Sequence, residues 1–536
     1  MARSSLFQQS KKFLKLASKA NKYQVSATEI QNHLKENYLH KNISRRDFLK
    51  GLALGTAVFG LNTYGFAQGS TSKINQKITI LGGGLAGLTV AYRLMKANIP
   101  CEIYEARERL GGRVQSKYNF NPEGMFCELG GEFVDTEHTK LIALCRELAV
   151  KTESFGNTDL KLAPAIYFFG GKIRTEKELI TNFQPLAKVI ERDLESIFDE
   201  EEVEIPTYKT PFRSKRFDNI SIEEYLNSQK GVEKWVLDFL KIAYTTEYGS
   251  EPSQQSALNL ILLIGLDTNE GLELYGDSDE AMRITGGNSK LIEALHEKIK
   301  GTVPIYFGYT LLKIEDTGLN IRMTFGQSQG KTLVIESPRV ACTIPFSILR
   351  EIDGVSDLNL NPLKRKAILE YGYGSNAKAI FGFTNRFWRA DTAKPYPARG
   401  HIFSDLNCQT FWETSRLQKG NHGILTNFMG GNQGKSIPAQ KIENTLQELN
   451  KIYPEASNNF DQNKAFKYWV LDPLNKGSYT SLKPGQYTSI NGVSKESELQ
   501  GRLLFAGEHC SVDFAGYMNG AIESGNSLAG SIIKGN

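Results

Sequence analysis

Cysteine is scarce in this chain of 536 residues: Cys101, Cys127, Cys145, Cys342, Cys408 and Cys510 lie far apart, with no Cys-x-x-Cys among them. That spacing excludes a dense disulfide framework and a zinc ribbon, leaves no metal site to read, and fits buried thiols. No uninterrupted apolar stretch reaches the ~20 residues that a membrane helix needs. The weakly apolar run Gly51 to Phe66 is shorter and diluted by Gly and Thr. Internal repeats and low-complexity linkers are also absent. A basic excess is missing from the bulk of the chain. The formal charge is +5, but residues 1–67 hold 11 Lys/Arg against 3 Asp/Glu, so the remainder carries −3. A mildly acidic body gives no compositional case for nucleic-acid binding, which requires a basic face on the folded part. What is present, 40% hydrophobic and 23% charged residues, is an ordinary globular composition, long enough for two packed domains.

Residues 1–67 read as a leader. Ser44-Arg45-Arg46-Asp47-Phe48-Leu49-Lys50, the run that follows, and the small-x-small ending Gly65-Phe66-Ala67 resemble a twin-arginine signal cleaved after Ala67. The expectation is export to a periplasmic or extracellular location, or membrane association where the leader stays uncleaved, with the twin-arginine machinery as a partner. Residues 1–43 are basic and longer than a usual signal n-region, and no role is read for them.

The body opens on a strand, a glycine turn and a helix. Lys77 to Leu81 is β-rich, Gly82-Gly83-Gly84-Leu85-Ala86-Gly87 follows, and Leu88, Ala91, Leu94 and Met95 recur at helical spacing. Gly82 suits a tight turn, Gly84 a close approach of pyrophosphate, and Gly87 the packing of helix on strand, with free N–H groups of Leu85 and Ala86 at the helix start. The second strand, Cys101 to Glu105, ends in a carboxylate 23 positions after Gly82, where a ribose hydroxyl is bound and a 2′-phosphate is disfavoured.

The segment after Glu105 narrows the reading. Glu105-Ala106-Arg107 through Leu110-Gly111-Gly112-Arg113, then Glu128-Leu129-Gly130-Gly131, then Thr285-Gly286-Gly287-Asn288, and finally Ala506-Gly507-Glu508 and Gly516-Tyr517-Met518 resemble the flavin monoamine oxidase and L-amino acid oxidase superfamily. The resemblance runs from about Lys77 to the C-terminus. It implies an α/β fold: a Rossmann-like, glutathione-reductase-like FAD-binding domain interleaved with an α+β substrate domain. The expected segments are 76–140, 281–344 and 496–536 for FAD, and 141–280 (helical) and 345–495 for substrate. The implied cofactor contacts are Gly82, Gly84, Leu85, Ala86, Gly87, Glu105, Ala106, Arg107, Gly112, Arg113, Gly130, Gly131, Glu132, Leu311, Glu508 and Met518. A helix starting near Tyr517 would face the flavin ring.

The same resemblance assigns the chemistry. Tyr479 and Tyr517 match the two aromatic residues that flank the substrate amine, and Lys378, ten residues before Trp388, matches the lysine that holds a water against flavin N5. Ser478 stands where covalent relatives place a flavin-linking cysteine, so non-covalent FAD is expected. The implied reaction converts an amine to an imine and then to a carbonyl, with O2 reduced to H2O2. Phe133 stands where L-amino acid oxidases carry a carboxylate-clamping arginine, which favours simple amines. Glu132 is read as a receiver for a second cationic group, as in a polyamine or basic amino acid. His509 reads as a packed or flavin-facing residue. The alternatives are an L-amino acid oxidase, a carotenoid- or protoporphyrinogen-type flavoenzyme, and a non-catalytic flavoprotein; a second copy of the chain is a further candidate partner.

Overall fold

The computed structural model describes residues 76–535 except 157–158, 160, 199–203, 266–279, 328–329 and 437–440. The leader reading, residues 1–67, therefore lies outside the described residues. β1 (Ile78–Leu81) and β2 (Cys101–Glu105) are wholly buried; the apolar, β-branched run of β1 suits a strand covered on both faces, whereas β2 carries Glu102 and Glu105 into the interior as hydrogen-bonded acceptors. They form the centre of a five-stranded sheet in which β1 is followed on one side by Arg339–Cys342 and Leu503–Phe505, and β2 on the other by Ile305–Phe307. Every pairing in it is parallel.

Helix α1 (Leu85–Lys96) lies against the C-terminal helix Met518–Ile533. Gly525 makes that approach possible, because a Cβ there would sit 2.9 Å from the Ala86 carbonyl oxygen and 3.0 Å from Thr89 Cβ. A three-stranded antiparallel sheet, Thr310–Asp316, Ile321–Gly326 and Thr332–Ser337, is fastened to β2 by Tyr104, whose ring stacks on Phe325 at 4.6 Å.

The second body is a seven-stranded sheet in the order Phe460–Tyr468, Ala377–Phe383, Gly423–Met429, Thr410–Glu413, Ile402–Ser404, Ile166–Phe169, Lys172–Arg174. Its pairings are antiparallel except that of Ile402–Ser404 with Ile166–Phe169. Helices Glu176–Glu195 and Lys234–Tyr248 pack near it through Phe239, which meets both Phe169 and Phe183 edge to face.

Two features differ from the sequence reading. The stretch 141–280 is not uniformly helical: Ile166–Phe169 and Lys172–Arg174 form a hairpin about Gly170 and Gly171, both at positive φ, and Thr152–Ser154 pairs with Met282–Ile284. These strands are too short for periodicity to separate from helix. Helix Thr139–Glu147, divided by the boundary at 140, buries Leu141, Leu144 and Cys145 in the same core as α1 and the C-terminal helix. All six cysteines are buried and free. No helix among the described residues is long and apolar enough to cross a membrane.

Candidate active site

A cavity runs along the C-terminal ends of β1 and β2 and is lined by Gly82, Gly84, Leu85, Ala86, Glu105, Ala106, Arg107, Gly112, Arg113, Leu311, Glu508, Tyr517 and Met518. The crevice beyond the carboxyl ends of parallel strands is where ligands bind in sheets of this type. Gly82 turns at φ +103, and a Cβ on Gly84 would meet no protein atom within 4 Å. The wall at Gly84 is thus open to an occupant. Gly87 does not line the cavity; it is where α1 meets the strand, since a Cβ would fall 2.1 Å from the Gly82 carbonyl oxygen.

Two helices begin at this cavity, α1 at Leu85 and the C-terminal helix at Met518. Neither has a side-chain cap or an acidic residue in its first turn, so both offer unsatisfied N–H groups and positive dipole ends to an anionic ligand. Glu105 accepts from the N–H groups of Gly83 at 2.7 Å and Arg107 at 2.8 Å. Burial raises its carboxyl pKa against the lowering effect of those bonds, and its remaining lone pairs suit a ribose hydroxyl. Open glycine wall, free helix starts and a strand-end carboxylate together fit a dinucleotide.

The basic residues are tied to acids across the fold. Arg113 Nη1 donates to the Ser478 carbonyl at 2.6 Å and to Glu508 at 2.9 Å. The other Glu508 oxygen accepts from Thr480 Oγ1 at 3.0 Å and from the Gly516 N–H at 2.8 Å. Burial would raise the Glu508 carboxyl, but Arg113 and the bonds around it hold it below its ordinary range. Arg107 is paired with Asp472 at 2.5 Å, and Asp472, although partly desolvated, is brought down to about 2 by Arg107 and Lys467.

The expected aromatic pair converges. Tyr517 precedes the C-terminal helix, and Tyr479 is held in a short antiparallel contact in which its carbonyl accepts from Gly374 N–H at 2.8 Å. Both adjoin Gly516, where a Cβ would lie 3.2 Å from Tyr479 Cδ2. The Tyr479 hydroxyl donates to the Glu247 carbonyl. His138, which the sequence reading passed over, packs edge-on against Tyr517 at 4.9 Å; a lone histidine before a helix carries no signal by itself. Asn519, also passed over, accepts from the N–H groups of Lys140 and Leu141.

Lys378, Gly130, Gly131 and Glu132 stand behind the cavity. A Cβ on Gly130 would fall 1.7 Å from the Arg113 carbonyl oxygen, and the Gly131 carbonyl accepts from Asn288 Nδ2 at 2.7 Å. Glu132 corrects an expectation: its Oε2 accepts from Lys378 at 2.8 Å and its Oε1 from Thr414 at 2.8 Å. The cation it receives belongs to the protein. Neighbouring Glu128, fully buried, is raised to about 7 by desolvation, opposed by the Asn288 N–H bond. Phe133 joins Phe155, Trp412 and Phe428 in an aromatic cluster. Ser478 Oγ donates to Asn376 Oδ1 at 2.7 Å. His509 is buried on Phe346, lowered to about 4 by desolvation, with neither ring nitrogen hydrogen-bonded. No group of metal-binding side chains occurs among the described residues.

The family model for flavin-containing amine oxidoreductases matches residues 85–533. An L-amino-acid oxidase of Siganus canaliculatus is 24% identical over 85% of each chain. The flavin-containing amine oxidase B of Mus musculus is 22% identical over 85% of this chain and 86% of its own. Cyclohexylamine oxidase from Brevibacterium oxydans shares the fold with a TM-score of 0.72 at 17% identity, covering 86% of this chain and 99% of that one.

Proposed function

The chain belongs to the flavin-containing amine oxidoreductase family, and on that premise we propose that it oxidises a small amine with FAD held non-covalently in the cavity. The observation that carries this reading is the convergence on one cavity of two uncapped helix starts, Leu85 and Met518, with Arg113, Glu105 and Tyr517. In this reading the five-stranded parallel sheet is a Rossmann-like FAD domain and the seven-stranded sheet carries the substrate side.

Gly84 admits the pyrophosphate to the backbone, where the α1 N–H groups and Arg113 offset its charge. Glu105 holds the adenosine ribose, with Ala106 and Leu311 beside it. Glu508 keeps Arg113, Thr480 and Gly516 in place, and so sets the spacing of Tyr479 and Tyr517. Flavin held by these residues would supply a two-electron acceptor for the amine, with O2 as the final oxidant. The tyrosine faces orient the neutral amine, a contact worth roughly 0.5–2 kcal/mol, so that its Cα–H bond points into the cavity. The amine loses a hydride equivalent and a proton to become an imine, water hydrolyses the imine to a carbonyl and ammonia, and O2 leaves as H2O2. Serine at 478 has no thiol for a thioether, which supports non-covalent binding.

Phe133 and its aromatic neighbours favour an amine with an apolar body. A second reading, an L-amino acid substrate, is suggested by the Siganus canaliculatus relative; Arg283 and Arg416, the guanidinium groups over the Phe155 ring of that cluster, are already paired with Glu153 and Asp159. Export by the twin-arginine route is part of the proposal and rests on Ser44 to Ala67 alone. The test is a product assay with separate pools of monoamines, polyamines and L-amino acids. Carbonyl, ammonia and H2O2 formed in equal amounts from an amine pool support the reading; turnover of amino acids alone moves it to the second; no turnover of any pool overturns both.

A further inference from the structure

Two charged side chains outside the cavity lining are buried against each other. Lys378, in the strand Ala377–Phe383, and Glu132, just beyond the Gly130-Gly131 turn, meet at 2.8 Å with 6% and 5% of their side chains exposed. Lys378 Nζ also donates to the Glu128 carbonyl at 3.1 Å and lies 5.0 Å from the Trp412 ring centroid. Glu132 is fixed from the other side by Thr414 Oγ1, which is 2.6 Å from Thr426 Oγ1. The substrate-side sheet therefore grips the turn through this pair. The turn in turn packs on Arg113, a wall of the cavity.

Taking both charges out of water is costly, and leaving either one alone is costlier. A lone cation at this depth would also favour an electron-rich flavin, and a lone anion would oppose it, because the low dielectric of the interior screens either poorly. Resting on the reading that flavin occupies the cavity, we propose that Glu132 is a positioning residue: it holds Lys378 against the Gly130-Gly131 turn and offsets its charge. The flavin then senses the pair as one neutral unit. This assigns Glu132 to the oxidation machinery through Lys378, and removes it from recognition of substrate cations.

The test compares Lys378→Met, Glu132→Gln and the double variant with the parent protein, by dye-equilibrated dithionite reduction of the FAD-loaded forms and by thermal melting of the flavin-free forms. Lys378→Met is expected to shift the flavin midpoint potential down and Glu132→Gln to shift it up, with the double variant returning close to the parent value. Each single variant is expected to melt lower than the double. If a single variant fails to fold, recovery of folding in the double variant is the same coupling; a double variant that also fails contradicts the proposal. Equal potentials in all forms, or shifts that simply add in one direction, overturn it. Dithionite needs no amine, so loss of the amine-oxidase reading would show as unreduced flavin with amines while these shifts remain.

Discussion

Arg113 and Glu508, 395 residues apart in sequence, meet at 2.9 Å at the wall of the cavity, with 16% and 6% of their side chains exposed. The pair joins the second glycine turn to the strand end Phe505 and, through Gly516, to the start of the last helix. Glu508→Gln leaves the guanidinium without its anion, and is expected to destabilise the protein by on the order of 2 kcal/mol. Because the folded carboxyl lies below its ordinary range, its contribution is fully present above the unfolded value near ~4.3 and fades as pH falls through the folded value. Melting curves between neutral and acid pH should therefore converge for parent and variant at the acid end. Curves that stay apart would contradict the assignment.

Gly84 and Gly87, in one turn, should respond oppositely to the same change. Gly84→Ala meets no protein atom, so the flavin-free protein should keep its stability within about 0.5 kcal/mol while FAD binding weakens at least about tenfold, ~1.4 kcal/mol. Gly87→Ala puts a methyl 2.1 Å from the Gly82 carbonyl oxygen, and should lower stability by about 1–3 kcal/mol. Melting and FAD titration of the two variants separate these outcomes.

Legibility followed locality. The glycine turns, Glu105, Arg113, Glu508 and Tyr517 were readable because each sits in a short run whose backbone needs specific residues. The partners of those residues were not. Glu132 reads as a receiver for a substrate cation because its own cation, Lys378, is 246 residues away, and Asp472 gives no sign of Arg107, 365 residues earlier. The hairpin Ile166 to Arg174 is hidden for a related reason: its first strand is held by Ile402–Ser404, and short apolar runs do not declare their partners. Helix Thr139–Glu147 was split at residue 140 because its buried face answers to a helix that begins at Met518.

The tyrosines should show a ring requirement. Tyr517→Phe keeps the face presented to the amine, and is expected to change kcat/KM by less than about threefold. Tyr517→Ala loses it, and should cost about 2–30-fold, the rate equivalent of a contact worth roughly 0.5–2 kcal/mol. His138→Ala, which removes the ring packed on Tyr517, should fall between them in steady-state assays with the preferred amine.

Non-covalent flavin makes a simple prediction. Acid or heat precipitation should leave the yellow chromophore in the supernatant, because Ser478 directs its hydroxyl to Asn376 and has no sulfur to attach. Colour that stays with the precipitate would place the attachment elsewhere on the chain.

The most direct measurement is the visible spectrum of the FAD-loaded protein mixed anaerobically with amine. The account predicts loss of the oxidised-flavin absorption on mixing and its return on admitting O2. An oxidised spectrum that no amine or amino acid alters, in a protein whose flavin dithionite reduces normally, would contradict it.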